Sequence, residues 1–160
     1  MVQIVNATFN DAEAIQRLLR ETWKDTYGDH LSQETLDEVY KKWQSIGFLT
    51  KQIENPGLYF PLAKEGDELV GLSTAYMPED IIVMPRLYVS PWHQRKGIGE
   101  LLLQNVVEHF QGAKKIQLHV EVMNPKGQSF YRNHGFKEIK RAEEKVVNEV
   151  IELILMEKQL

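Results

Sequence analysis

The stretch IIVMPRLYVSPWHQRKGIGELLLQNVVEHF, residues 81–110, is a β-rich run that passes through a polar, glycine-containing junction into a helical pattern. Its first nine residues, IIVMPRLYV, read as a strand carrying Pro85 in its middle. Proline lacks the N–H that a ladder requires, so it predicts a bulge, an edge or a place where pairing is broken. Ile98, Leu101, Leu102, Asn105, Val106 and Phe110 fall at helical spacings, which predicts a helix from near Gly97 to about Phe110, closed by Gly112. A helix that begins straight after a strand presents unpaired N–H groups and the positive end of its dipole, a seat for an anion. Gly97 and Gly99 can take left-handed φ values and admit a diphosphate close to the backbone, with Arg95 and Lys96 adding charge. They can equally do no more than shape a tight turn. The dinucleotide fingerprint would need a small residue where Leu102 stands, and the Gly-Lys-Ser/Thr ending of a P-loop is absent.

Working outward, residues 2–5 read as a short strand. The next segment, TFNDAEAIQRLLRETW, predicts an amphipathic helix capped by Asn10 or Asp11. Ser32 opens a second helix that continues to Pro56 and Gly57. LYFPLAKEGDELVGLSTAYM predicts a hairpin around Glu65 to Glu68. After the central stretch, KKIQLHVEVM alternates as a strand, and PKGQSFYRNHG is a short helix with Pro125 in its first turn and Gly135 as its stop. FKEIKRAEEK and NEVIELILME supply the last two strands. The order predicts one α/β domain over residues 1–160, a mixed sheet with helices packed on it.

The chain has 160 residues, 42% hydrophobic and 26% charged, enough to bury a core. A net charge of −4 disfavours a nucleic-acid binder and suits a cationic small substrate. The absence of cysteine excludes disulfides, thiolate metal sites and cysteine nucleophiles. The five histidines lie far apart and suggest no metal site. No apolar run approaches the roughly 20 residues of a membrane span, and the N-terminus lacks a signal-peptide layout. A soluble cytoplasmic protein without a membrane or nucleic-acid partner is the expectation.

LYVSPWHQRKGIG resembles the acyl-CoA signature of the GNAT superfamily of N-acetyltransferases, a strand ending Leu-x-Val followed by Gln/Arg-x-x-Gly-x-Gly/Ala at the head of a helix. NPKGQSFYRNHGF is similar to that family's second block, filled by Asn124, Gly127, Phe130, Tyr131, Gly135 and Phe136. The two blocks cover about residues 80–140; the rest of the chain resembles the family only in element order. The resemblance implies a central, mostly antiparallel sheet with splayed central strands and flanking helices. It implies acetyl-CoA as cofactor and CoA as product. The diphosphate would sit on Gln94, Arg95, Lys96, Gly97, Ile98, Gly99 and Glu100, and the pantetheine arm would pair with Leu87, Tyr88 and Val89. A backbone N–H near Val89 would be the oxyanion donor. Tyr131 matches the phenol that protonates the leaving thiolate, and Asn124 contacts the cofactor arm or caps the short helix.

A base is needed because an aliphatic ammonium has a pKa of about 10.4. Where many family members carry a strand glutamate, this chain reads Val83-Met84-Pro85. Glu79, Asp80 and Glu121 remain as carboxylate candidates, and His119 as an imidazole. For the acceptor, Trp23, Tyr27 and Tyr40 stand among Glu21, Asp25, Asp29, Glu34, Asp37 and Glu38, a set that could hold a polyamine or could be an ordinary solvated helix pair. With Asp80, Trp23 and Tyr27 are the substrate-binding candidates. The early region loosely resembles bacterial and archaeal polyamine acetyltransferases. The expected reaction is acetyl transfer to a primary amine such as spermidine or spermine by direct attack in a ternary complex. A peptide or protein acetyltransferase and a non-catalytic acyl-CoA-binding module are the alternatives. The last strand, NEVIELILME, could pair across a homodimer.

Overall fold

A computed structural model describes residues 1–160. Its strands are β1 (Val2–Asn6), β2 (Pro61–Glu65), β3 (Glu68–Tyr76), β4 (Ile81–Val89), β5 (Lys115–Glu121), β6 (Lys137–Val146) and β7 (Glu149–Gln159). Its helices are α1 (Ala12–Tyr27), α2 (Gln33–Trp43), α3 (Ile46–Glu54), α4 (Ile98–His109) and α5 (Pro125–Asn133). The strands form one sheet in the order β1-β2-β3-β4-β5-β7-β6, antiparallel throughout except for the parallel pair β4–β5.

Alternation along the strands builds two cores. Leu62 and Leu72 turn to one face, against Ile15, Leu18 and Leu19 of α1 and Leu49 of α3. Ala63 and Val70 turn to the other, against Ile98 and Leu102 of α4. Further along that second face, Ile82, Met84, Ile116, Leu118 and Val120 meet Leu103 and Val106 of α4 and Tyr131 of α5. The sheet is therefore a wall between α1–α3 and α4–α5.

Pro85 does what a proline in a strand predicts. Tyr76 is paired with Val83 and Thr74 with Arg86, so Met84 and Pro85 together oppose the single residue Ala75. On the other edge of β3, Ala75 exchanges both backbone hydrogen bonds with Tyr59, at 2.9 and 2.8 Å, just ahead of β2. The parallel ladder between β4 and β5 covers only Ile81–Val83 and Lys115–Gln117. Beyond it β4 stays with β3 and β5 with β7, and the two central strands part.

Four expectations need correction. Asp11 stands at the N-cap position of α1, but its side chain caps no amide there: a 3-10 turn over Phe9–Asp11 precedes the helix, and the Asp11 carboxylate reaches back to its start, to the Thr8 N–H at 2.8 Å and hydroxyl at 3.0 Å, and pairs with Lys64 at 2.7 Å. The long second helix is two, because Gln44 leaves helical geometry and the Ser45 hydroxyl accepts the Phe48 N–H at 3.2 Å, capping α3. Gly99 lies inside α4 with no positive φ; only Gly97, at φ +80°, needs the left-handed region. β7 has no free edge, since it lies between β5 and β6, and the sheet ends at β1 and β6.

The α2–α3 break rests on the Ser45 cap. Ser45→Ala is expected to lose about 1 kcal/mol and to lower the melting temperature by about 2–4 °C, measured by circular dichroism.

Candidate active site

The parting of β4 and β5 sets the geometry. The Ser90 N–H donates to Val70 O on β3 at 2.8 Å. By antiparallel alternation, Leu87 and Val89 then turn their N–H and C=O groups away from β3, into the gap. The Val89 carbonyl accepts the side-chain N–H of Gln94 at 3.3 Å. Leu87 and Val89 send their side chains toward α4, and Tyr88 sends its own toward α1.

At the head of α4, Arg95 and Gly97 both hold positive φ, +63° and +80°. Two left-handed residues so close together bend the backbone sharply just ahead of α4. Gly97 O accepts the Leu101 N–H at 3.0 Å, so the N–H groups of Ile98, Gly99 and Glu100 precede the first helical bond. The Gln94, Arg95, Lys96 and Glu100 side chains are exposed around this turn, while that of Ile98 is buried and contributes only backbone. Gly99 has a packing role: a Cβ there would lie 3.2 Å from Phe130 Cε2.

On the α1 side of the gap, Tyr27 donates its phenolic O–H to Glu121 Oε2 at 2.5 Å, and the Trp23 indole N–H donates to the Tyr88 hydroxyl at 3.2 Å. Burial raises the Glu121 carboxyl above the ordinary glutamate value, although the Tyr27 hydrogen bond pulls the other way. Burial, then the nearby Glu121 charge, pushes Tyr88 up to about 12, against the pull of Arg86 and the Trp23 hydrogen bond. Tyr131 also lies well above the phenol range, through burial first and then Tyr88 and Glu121. Tyr131 belongs to the core on the α4–α5 side. Asn124 caps α5, its Oδ1 accepting the Gly127 N–H at 3.0 Å, and a Cβ at Gly127 would come 2.6 Å from Asn124 Nδ2.

The structure therefore brings together Trp23, Tyr27, Tyr88, Glu121 and Tyr131. It sets other candidates apart. Glu79 and Asp80 precede β4 at its paired end, Glu79 exposed and Asp80 bound to Lys114 at 3.1 Å, away from the opening beyond Val83. His119 is on β5 two residues before Glu121, but its ring is exposed. Glu21, Asp25, Asp29, Glu34, Asp37 and Glu38 all face solvent, and Tyr40 meets Arg20 instead, 5.5 Å from the ring centroid.

Two side chains at this site escaped sequence reading. Arg86 is half-buried, its guanidinium donating to Gln52 Oε1 and, at 2.9 Å, to the Trp43 carbonyl. The Tyr88 hydroxyl is the other. The alternation in PRLYV carried the signal, because residues 86 and 88 must face opposite to Leu87 and Val89.

A sheet opened at its parallel pair, with an anion-receiving turn at the head of the following helix, defines an acyl-CoA-dependent N-acetyltransferase. Residues 12–136 match the acetyltransferase (GNAT) family, and the chain belongs to it. The chain is similar to a spermidine N(1)-acetyltransferase of Thermoplasma acidophilum, 28% identical over 142 residues, spanning 85% of this chain and 88% of the relative. The structure of PaiA N-acetyltransferase from Thermoplasma acidophilum in complex with coenzyme A superposes with a TM-score of 0.88 at 25% identity, covering 100% of this chain and 99% of that one. The Escherichia coli ribosomal-protein-S18-alanine N-acetyltransferase shares the fold at a TM-score of 0.76 and 15% identity, over 99% of this chain and 94% of its own. The acetyl donor of the family is acetyl-CoA. No helix is long and apolar enough to cross a membrane.

The raised Glu121 carboxyl has a stability signature. The native group holds its proton to higher pH than the unfolded chain does, so stability falls as pH rises from the ordinary value of 4.5 through the raised one. Glu121→Gln is expected to flatten that fall in a urea-midpoint profile; parallel wild-type and variant profiles would mean that Glu121 titrates alike in both states.

Proposed function

We propose that the acceptor is a small aliphatic amine of the polyamine class, spermidine or spermine. The observation that carries this is the hydrogen-bonded Glu121 carboxylate among Tyr27, Trp23 and Tyr88 on the α1 side of the gap. A carboxylate ringed by aromatic faces fits an ammonium through charge and cation–π attraction. Tyr27 is only 2% exposed, and α2 closes over it with Leu36 and Val39 against Val146 and Ile151. Such enclosure suits a slender amine better than a folded protein's surface. The spermidine acetyltransferase relative supports the same reading.

When bound, acetyl-CoA supplies an activated acetyl thioester. Leu87 and Val89 offer backbone groups to its extended arm, and the amides of Ile98, Gly99 and Glu100, with Arg95 and Lys96 beside them, suit its diphosphate. The Val89 N–H is the oxyanion donor. Asn124 Nδ2 remains free to contact the arm while Oδ1 serves the helix. Glu121 takes the proton that the acceptor ammonium must lose, directly or through water, and its raised pKa moves it toward the useful range for a base. Tyr131, kept protonated by burial, gives a proton to the departing sulfur.

CoA-thiol release against a panel of polyamines, amino acids and short peptides tests this. Turnover is expected on spermidine and spermine. Glu121→Gln should lower kcat by about 10²–10⁴-fold, as should Tyr131→Phe if a proton transfer is lost in each case. Turnover on peptides alone would reassign the acceptor, and cofactor binding without thiol release from any amine would indicate a binding module.

A further inference from the structure

β6 is the last strand of the sheet and pairs only with β7. Nine of its ten residues are exposed. Such an edge presents unpaired N–H and C=O groups, a template for another strand. The β6–β7 ladder shifts between Glu138 and Lys140, leaving residues 140–146 in regular register.

In an antiparallel pair, directly opposite residues either both bond to each other or both face away, and this alternates along each strand. A strand that pairs with its own copy therefore has its two-fold axis on a residue, never between two. With the axis on Ala142, Arg141 meets Glu143 and Lys140 meets Glu144, each pair occurring twice, with the smallest side chain at the centre. With the axis on Arg141, Arg141 meets itself, Lys137 meets Lys145 and Glu138 meets Glu144. With the axis on Glu143, Glu143 meets itself and Arg141 meets Lys145. Like charges opposite one another oppose both neighbouring registers.

A second observation comes from the other side of the strand. Glu143 stands directly opposite Glu152 of β7, a like-charge pair inside the protein. The Ala142-centred register would bring Arg141 of a second copy beside it. Within its own chain Arg141, 49% exposed, bonds Glu138 at 2.7 Å and lies 3.9 Å from Glu152, which leaves Glu143 as the member of the pair with no cation in salt-bridge range.

We propose that β6 is a self-complementary docking edge for a second copy of this chain, antiparallel with its axis at Ala142, which joins two seven-stranded sheets into one. The edge does not depend on the acceptor proposal.

Sedimentation velocity on the full chain at low ionic strength tests it. The expected mass is twice 18.6 kDa. Lys140→Glu with Arg141→Glu makes the segment acidic throughout, and Glu143→Lys with Glu144→Lys makes it basic throughout. Each double variant alone should be monomeric, and an equimolar mixture should recover the dimer, which chains that had failed to fold could not do. A monomeric wild type, a dimer that survives in both variants, or a mixture that stays monomeric would overturn the proposal.

Discussion

The bulge at Met84 and Pro85 is the constraint on which the rest depends. Two residues of β4 face one residue of β3 where the parallel ladder ends, at Val83. Without that end, β5 would fill the edge of β4, and Leu87 and Val89 would have no free backbone groups to offer. The same bulge re-aims β4, so that Arg86 and Tyr88 point to the α1–α3 side while Leu87 and Val89 point to α4. One local irregularity both opens the sheet and distributes the side chains around the opening.

The electrostatics of the gap follow from burial more than from charge count. Glu121 is the carboxylate on the acceptor side that is removed from solvent, and it is held by one phenol rather than by a cation. Arg86 lies on the same side but is committed to Gln52 and the Trp43 carbonyl. It ties the end of α2 and the body of α3 to the strand that carries the reaction. Its positive charge eases Tyr88 without forming an ion pair. The Glu121 carboxyl is thus left free of a competing salt bridge.

Much of this was legible in the sequence because its signals are local. Pro85, Gly97, the Asn124–Gly127 turn and the apolar periodicity of α4 each act through their own backbone, and each appears where the sequence places it. The sites that were misread depend on tertiary placement. Five acidic residues in the first two helices, and Asp29 between them, can be read in sequence as a cation-binding face or as a solvated helix pair, and all six face solvent. Glu79 and Asp80 are close to the gap along the chain, but they lie at the paired end of the strand. The break at Ser45 was hidden because its flanks keep helical character on both sides, and β7 was mistaken for an edge because sheet order is nonlocal.

β7 follows every other strand in the chain, yet it is inserted between β5 and β6. During synthesis, β5 and the base candidate at its end therefore have an open flank until residues 149–159 arrive. The same late segment carries Glu149, which accepts the Ser32 N–H at 2.8 Å and the Thr35 hydroxyl at 2.6 Å at the start of α2. α2, which closes over Tyr27, is thus anchored by the strand that comes last of the seven. A growing chain can thus form the turn at Gly97 before α2 has its β7 anchor and before β5 is covered on that flank.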